Sequence, residues 1–209
     1  MVVDPVFALL IGYAFGSIPF GLLLTKAAGL GDVRNIGSGN IGATNVLRTG
    51  NKGLAAATLL LDLAKGFAPV WIAWAIWGFD PGAHFVPMSP VTEPVPYAAL
   101  GAVQGHCFPV WLKFKGGKGV ATNAGVAFGI GWPVGLAYAL VWLGLLATVR
   151  ISSVAGMGAV LAAVLAAALL GYDRFVPVLA VIGVLVIWLH RANIARIKAG
   201  TEPKVGGRK

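Results

Sequence analysis

Charge is scarce in this sequence: Asp, Glu, Lys and Arg together make up 11% of its 209 residues, against about 25% in soluble globular domains. With 58% hydrophobic residues and a mean hydropathy of +0.84, the chain cannot cover itself with a polar surface. It reads as a polytopic membrane protein, one membrane domain over residues 1–209. Acids are the rarer sign, 7 against 16 Lys and Arg, for a net charge of +9. Such an excess can signal nucleic acid, but in an apolar chain the simpler reading is cytoplasmic loops that set orientation and meet anionic lipids or substrates. No nucleic-acid partner is expected. A single cysteine, Cys107, excludes an intramolecular disulfide and a multi-cysteine metal site. No metal or cofactor is called for. Met1 to Asp4 lack the basic region of a signal peptide, so the first apolar run is expected to be retained.

What is present is a series of apolar runs separated by polar turns. Residues 5–24 suffice to cross about 30 Å of hydrocarbon, with Gly12 and Gly16 as a packing face and Ser17 and Pro19 as a kink. A second run, 54–77, carries Asp62 and Lys65 three apart on one face. That pair is either functional or simply self-neutralising within the bundle. Residues 78–94 hold Asp80, His84 and Glu93 without Lys or Arg and read as an external loop. A third run, 95–112, is interrupted near its end by Gln104 to Pro109. Residues 120–149 divide at Gly129 to Pro133. The first part, roughly 18 Å of helix, either spans as a short helix or is re-entrant, and Gly125 and Gly129 form another packing pair. Runs at 154–170 and 175–189 follow, joined by a tight turn at Gly171 to Arg174. The sum is an all-α polytopic membrane protein of about seven transmembrane helices, N-terminus out and C-terminus in by the Lys/Arg distribution.

Four polar patches fall on the side that this distribution makes cytoplasmic. The longest is Gly37-Ser-Gly-Asn-Ile-Gly-Ala-Thr-Asn-Val-Leu-Arg48. Its glycines allow sharp turns and close backbone approach, Ser38, Asn40, Thr44 and Asn45 add neutral hydrogen-bonding groups, and Arg48 adds a planar fork suited to phosphate. The second, Lys113 to Asn123, is a glycine-rich turn that opens a helix, where free N–H groups and the dipole favour anions. It is not a Walker A loop, because Gly119 stands where Ser or Thr is required. Arg150 to Ser153 and His190 to Arg196 complete the set, the latter continuing the last span. Arg48, Lys118, Arg150, Arg191 and Arg196 suit a substrate with more than one phosphate. A transporter of a phosphorylated or anionic solute would also use basic residues and broken helices, but no internal repeat is visible and the motifs crowd one face.

Gly37 to Arg48, Gly105-His-Cys-Phe-Pro109, Phe114-Lys-Gly-Gly-Lys-Gly-Val-Ala-Thr122 and His190-Arg-Ala-Asn193 together resemble the motifs of the bacterial acyl-phosphate-dependent glycerol-3-phosphate acyltransferases, the PlsY family. The chain departs from that pattern at Ala155-Gly156, where members often carry a further serine. The resemblance implies an enzyme of the bacterial cytoplasmic (inner) membrane with its active site facing the cytoplasm. It would transfer a fatty acyl group from acyl phosphate to the 1-hydroxyl of sn-glycerol 3-phosphate, giving lysophosphatidic acid and phosphate, without a protein partner. By that resemblance Ser38, Asn40, Gly42, Thr44 and Asn45 would cradle one phosphate, with Gly37 and Gly39 shaping the loop and Arg48 as clamp. Lys118, with the N–H groups of Gly117 and Gly119 and helped by Gly116 and Thr122, would hold a second phosphate or the developing oxyanion. Ser153, His190 and Asn193, with Arg196 beside them, would orient glycerol phosphate. His106 either contacts ligand or packs near Pro109. No His-x-x-x-x-Asp motif is present, so the general base would be a substrate phosphate, with a second pKa of about 6, or His190.

Overall fold

A computed structural model describes residues 3–77 and 93–206, and within them the chain is helical with no strand. The reading of 78–92 as an external loop, including Asp80 and His84, lies outside the described residues. The helices are α1 (Val3–Gly16), α2 (Phe20–Ala27), α3 (Ala43–Val46), α4 (Lys52–Trp77), α5 (Pro94–Cys107), α6 (Val120–Ile130), α7 (Trp132–Val149), α8 (Ser152–Leu169), α9 (Val176–Leu189) and α10 (Arg191–Lys198).

Among the described residues four segments are long and apolar enough to cross a membrane: Asp4–Ala27, Lys52–Trp77, Trp132–Val149 and Ser152–Leu169. A fifth is added if the bent pair Asp173–Leu189 and Arg191–Lys198 is counted as one. The 14-residue α5 and the 11-residue α6 fall below that length.

The expected break after α1 is present at Ser17 to Pro19, because proline supplies no N–H for a continuing helix. One expectation needs correcting. The segment from His190 to Arg196 does not extend the last span but turns away from it by 55°. The His190 N–H bonds both Val186 and Ile187 carbonyls, the forked arrangement common at helix ends.

Small residues set the packing. A side chain at Gly12 or Gly16 would overlap the backbone of Ala98 or Ala102, and one at Gly101 or Gly105 would overlap that of Leu9 or Tyr13. α1 and α5 therefore lie backbone to backbone, the close approach on which membrane helices rely when burial against lipid gains nothing. α4 and α6 meet the same way, with Gly66 against Thr122 and Gly125 against Leu63 and Phe67. The core runs through Val70, Ala102, Val126, Tyr138, Val160 and Ile182, from six helices. Near the far end Arg174 pairs with Glu93 at 3.0 Å and lies over the Trp74 ring, joining the turn before α9 to the start of α5 and to α4.

Candidate functional site

The polar patches converge on one large cavity of roughly 1610 Å³. The first patch enters it as a loop organised by Asn45. The Asn45 amide donates to the carbonyls of Val33, Ile36 and Asn40 at 2.7, 3.2 and 2.8 Å, and its Oδ1 accepts from the Ser38 N–H at 3.0 Å. Asn40 Oδ1 in turn accepts from the Gly42 N–H at 3.0 Å. These groups were expected to cradle phosphate. Instead, the Asn45 donors and the Ser38 and Gly42 N–H groups are spent inside the loop, fixing its shape. The Ser38 hydroxyl also donates to Asn45 Oδ1, at 3.3 Å, while Ser38, Asn40 and Thr44 line the cavity wall.

Gly37 has φ +55, and a Cβ there would press on Asn45 Oδ1 and the Arg48 side chain. Only glycine combines that conformation with that closeness. Arg48 is exposed to the cavity and has no hydrogen-bond or ion-pair partner among the described residues.

The second patch differs more from expectation. The Gly117 N–H donates to the His106 carbonyl and that of Gly116 to the Cys107 carbonyl, at 2.9 and 3.0 Å. The Gly117 amide is therefore not a free anion donor. Any side chain on Gly117 would overlap the His106 ring, so this glycine is needed for close packing. Gly119 begins α6 at φ +81, against Val103, Cys107 and Val186. Gly39, Gly116, Gly117, Gly119 and Thr122 are absent from the cavity wall, while Lys118 lines it. The turn thus delivers one lysine rather than a nest of amides. His106 is buried at the wall, its Nδ1 3.8 Å from Asp62 Oδ1. Asp62 itself pairs with Lys65 at 2.8 Å, and Lys65 Nζ donates to the Ile18 carbonyl at 2.7 Å, tying α4 to the break after α1.

The third and fourth patches meet around a residue the sequence reasoning missed. Glu202, in the C-terminal segment after α10, accepts from Ser153 Oγ at 2.7 Å, Asn193 Nδ2 at 2.5 Å and Arg196 Nε at 2.7 Å. Lys118 Nζ donates to Asn193 Oδ1. The Arg150 guanidinium donates to the Val205 carbonyl and its carbonyl accepts from the Val205 N–H, so Arg150 anchors the tail. The available signal was that Glu202 is the one acid in a basic tail, beyond the Gly200 turn.

Electrostatics follow from this arrangement. Burial alone would raise the Glu202 carboxyl, but hydrogen bonds from Asn193, Ser153 and Arg196 outweigh it and hold the pKa below the ordinary value. Lys118 is lowered by burial first and then by the neighbouring Arg196 and Arg48, with Glu202 opposing. His190 is also lowered, chiefly by burial, and its Nδ1 lies 2.7 Å from the Val186 carbonyl. A carbonyl can only accept, so Nδ1 carries the proton and Nε2 is left as an acceptor. Among the described residues no three His, Cys, Asp or Glu side chains gather as a metal site would need.

The same cavity continues into an apolar channel between α4, α6 and α7, past Leu63, Ala124, Ala139 and Trp142. An integral membrane bundle with a basic pocket opening into such a channel is a protein that handles an anionic amphiphile. Residues 6–200 match the family model described as glycerol-3-phosphate acyltransferase. The chain is 67% identical over 205 residues to the glycerol-3-phosphate acyltransferase of Erythrobacter litoralis, covering 98% of this chain and 97% of that one. It is 54% identical to that of Mesorhizobium japonicum, covering 97% of each. The crystal structure of PlsY, an integral membrane glycerol 3-phosphate acyltransferase, in its glycerol 3-phosphate form aligns with a TM-score of 0.86 at 40% identity, over 97% of this chain and 96% of that one. The lysophosphatidic acid form aligns with a TM-score of 0.84 at 38% identity, over 97% and 95%. The chain belongs to the glycerol-3-phosphate acyltransferase family.

Proposed function

We propose that this protein transfers a fatty acyl group from acyl phosphate to the 1-hydroxyl of sn-glycerol 3-phosphate, releasing lysophosphatidic acid and phosphate. The observation that carries the reading is the polarity of the cavity. One end presents Arg48, Lys118, His190 and Arg196, with Ser153, Asn193 and the Glu202 carboxylate they hold, so cations outnumber the acid there, and the other is lined by aliphatic and aromatic side chains between helices. A substrate pair with two phosphates and one lipid tail matches both ends. Relatives that carry the acyltransferase name, and PlsY structures in forms with glycerol 3-phosphate and lysophosphatidic acid, support it.

In this reading Arg48 grips a phosphate with its planar fork, as a point charge cannot. Lys118, steadied by Asn193, neutralises charge on the second phosphate as the bond to the acyl carbon breaks. An acyl phosphate is a mixed anhydride with a good leaving group, so the protein supplies mainly position and oxyanion stabilisation. The hydroxyl proton passes to a substrate phosphate, dianionic above about pH 6, or to the neutral His190 at Nε2. Ser153 and Asn193 orient the glycerol phosphate. The donor reaches the cavity from the bilayer, and about seven membrane crossings, N-terminus out and C-terminus in, place the polar end in the cytoplasm.

Purified protein in detergent, given glycerol 3-phosphate and one of acyl phosphate, acyl-coenzyme A or acyl-carrier protein at matched chain length, tests the reaction. Turnover is expected with acyl phosphate alone; efficient turnover with a thioester alone overturns the donor assignment. A cysteine placed at Asn40 should resist an impermeant thiol reagent added to intact cells, and labelling from outside overturns the orientation.

A further inference from the structure

α6 is buried on every side except one stripe. Val120, Ala121, Ala124 and Phe128 are its only partly exposed residues, and all four line the cavity. Their spacing follows one helical face, so the stripe is the floor of the apolar channel. Its composition is uneven: two alanines form a low floor, and a phenylalanine rises at its deep end. On α4 the deepest lining residue is Leu63, and the residues of α7 that line the cavity begin at Tyr138. The Phe128 ring has a fixed seat, because any side chain at Gly135 of α7 would overlap it. Tyr138 is pinned beside the floor by its hydroxyl, which donates to the Val120 carbonyl at 2.8 Å.

From Val120 to Phe128 the floor is about 12 Å long at the helical rise. The hydrocarbon of one leaflet, half of a bilayer core, is about 15 Å. A long acyl chain laid from the basic end therefore meets Phe128 near its distal part.

We propose that Phe128 is a specificity-determining residue that sets the acyl-chain length this enzyme prefers, its ring closing the deep end of the channel on the seat provided by Gly135. The inference rests on the acyl-transfer reading above and goes beyond it by naming the side chain that measures the tail. Each further methylene that the channel can bury is worth about fourfold in affinity, so moving the stop by one ring changes selectivity in steps that kinetics resolves.

The test compares wild type with Phe128→Ala, Phe128→Leu and Phe128→Trp across acyl phosphates of increasing even chain length. Phe128→Ala should move the optimum of kcat/KM to longer donors, Phe128→Leu by less, and Phe128→Trp to shorter ones, with KM for glycerol 3-phosphate unchanged. A second measurement does not depend on the donor: lysophosphatidic acids of graded length are bound to each variant and their affinities read by calorimetry. The tightest-binding length should move in the same direction. Variants that change activity equally at every length, together with an unaltered lysophosphatidic acid ranking, overturn the role of Phe128. A wild type that binds the graded lipids but uses no acyl phosphate overturns the donor assignment instead, and the binding series still decides on Phe128.

Discussion

Removing the Glu202 carboxylate should loosen the polar end of the cavity more than any other single change in the tail. Glu202 Oε1 receives Ser153 and Asn193, and Oε2 receives Arg196. In Glu202→Gln the amide oxygen still accepts from Ser153 and Asn193. Both bonds lose their charge assistance, at about 1 kcal/mol each. The new amide nitrogen faces the Arg196 Nε–H donor to donor. Arg196 is 40% exposed and turns to water, so its share is small. The expected cost is about 2 kcal/mol. Glu202→Ala leaves the buried Ser153 hydroxyl and Asn193 amide without their acceptor and should cost about 4 kcal/mol at 1–3 kcal/mol for each unsatisfied group. Asn193 also receives Lys118, so the loss reaches the group proposed to meet the reacting phosphate. Thermal unfolding in detergent, followed by a dye that reacts with the buried Cys107, should rank wild type above Gln and Gln above Ala. kcat/KM for glycerol 3-phosphate should fall about tenfold or more in the first variant. Equal unfolding temperatures and unchanged kinetics in Glu202→Ala would refute the idea that this carboxylate ties the tail to α8 and α10.

Arg48→Lys should lose most activity although the charge is kept, because one ammonium cannot reproduce a bidentate grip; wild-type kinetics at normal expression would remove Arg48 from the site. Inorganic phosphate should inhibit competitively against acyl phosphate, and Lys118→Met should weaken that inhibition along with turnover, so a variant that keeps both shows Lys118 to be only a topological charge. Asn45→Asp should abolish folding of the first loop rather than merely weaken substrate binding, since a carboxylate cannot donate to the Val33, Ile36 and Asn40 carbonyls; a well-folded variant with only a raised KM refutes this. Stability should fall on acidification. The depressed Glu202 contributes at and above its ordinary value of 4.5 and is lost as pH falls through its lowered pKa, and the depressed His190 costs stability as pH falls below 6.5, where the unfolded chain takes up the proton first. Unfolding temperature should therefore be flat near neutrality and drop below about pH 6.5, with the upper part of the drop shallower in His190→Gln.

The membrane class and the helical runs were legible from the sequence because they depend on local properties: apolar length, breaks at Ser17 to Pro19 and Gly129 to Pro133, and small residues at helical spacing such as Gly12 and Gly16. The motifs Gly37 to Arg48 and Phe114 to Thr122 were equally plain, since glycine next to basic residues is a pattern along the chain. What the motif groups do with their hydrogen bonds was not legible. An N–H that the sequence offers to a ligand can be claimed by a carbonyl elsewhere, as the Gly117 N–H is by His106 and the Asn45 amide is by Val33. The role of Glu202 was hidden for the same reason, because its partners Ser153, Asn193 and Arg196 come from other segments and the bend at His190 brings them together. The sequence by itself determined a basic, phosphate-suited, membrane-embedded chain, for composition and periodicity act residue by residue. Only the tertiary structure decided that Lys118 rather than the glycine amides faces the cavity and that a tail carboxylate closes its basic end. It also showed that the alanine floor of α6 ends at Phe128, since each of these depends on which segments lie within hydrogen-bonding or packing reach of one another.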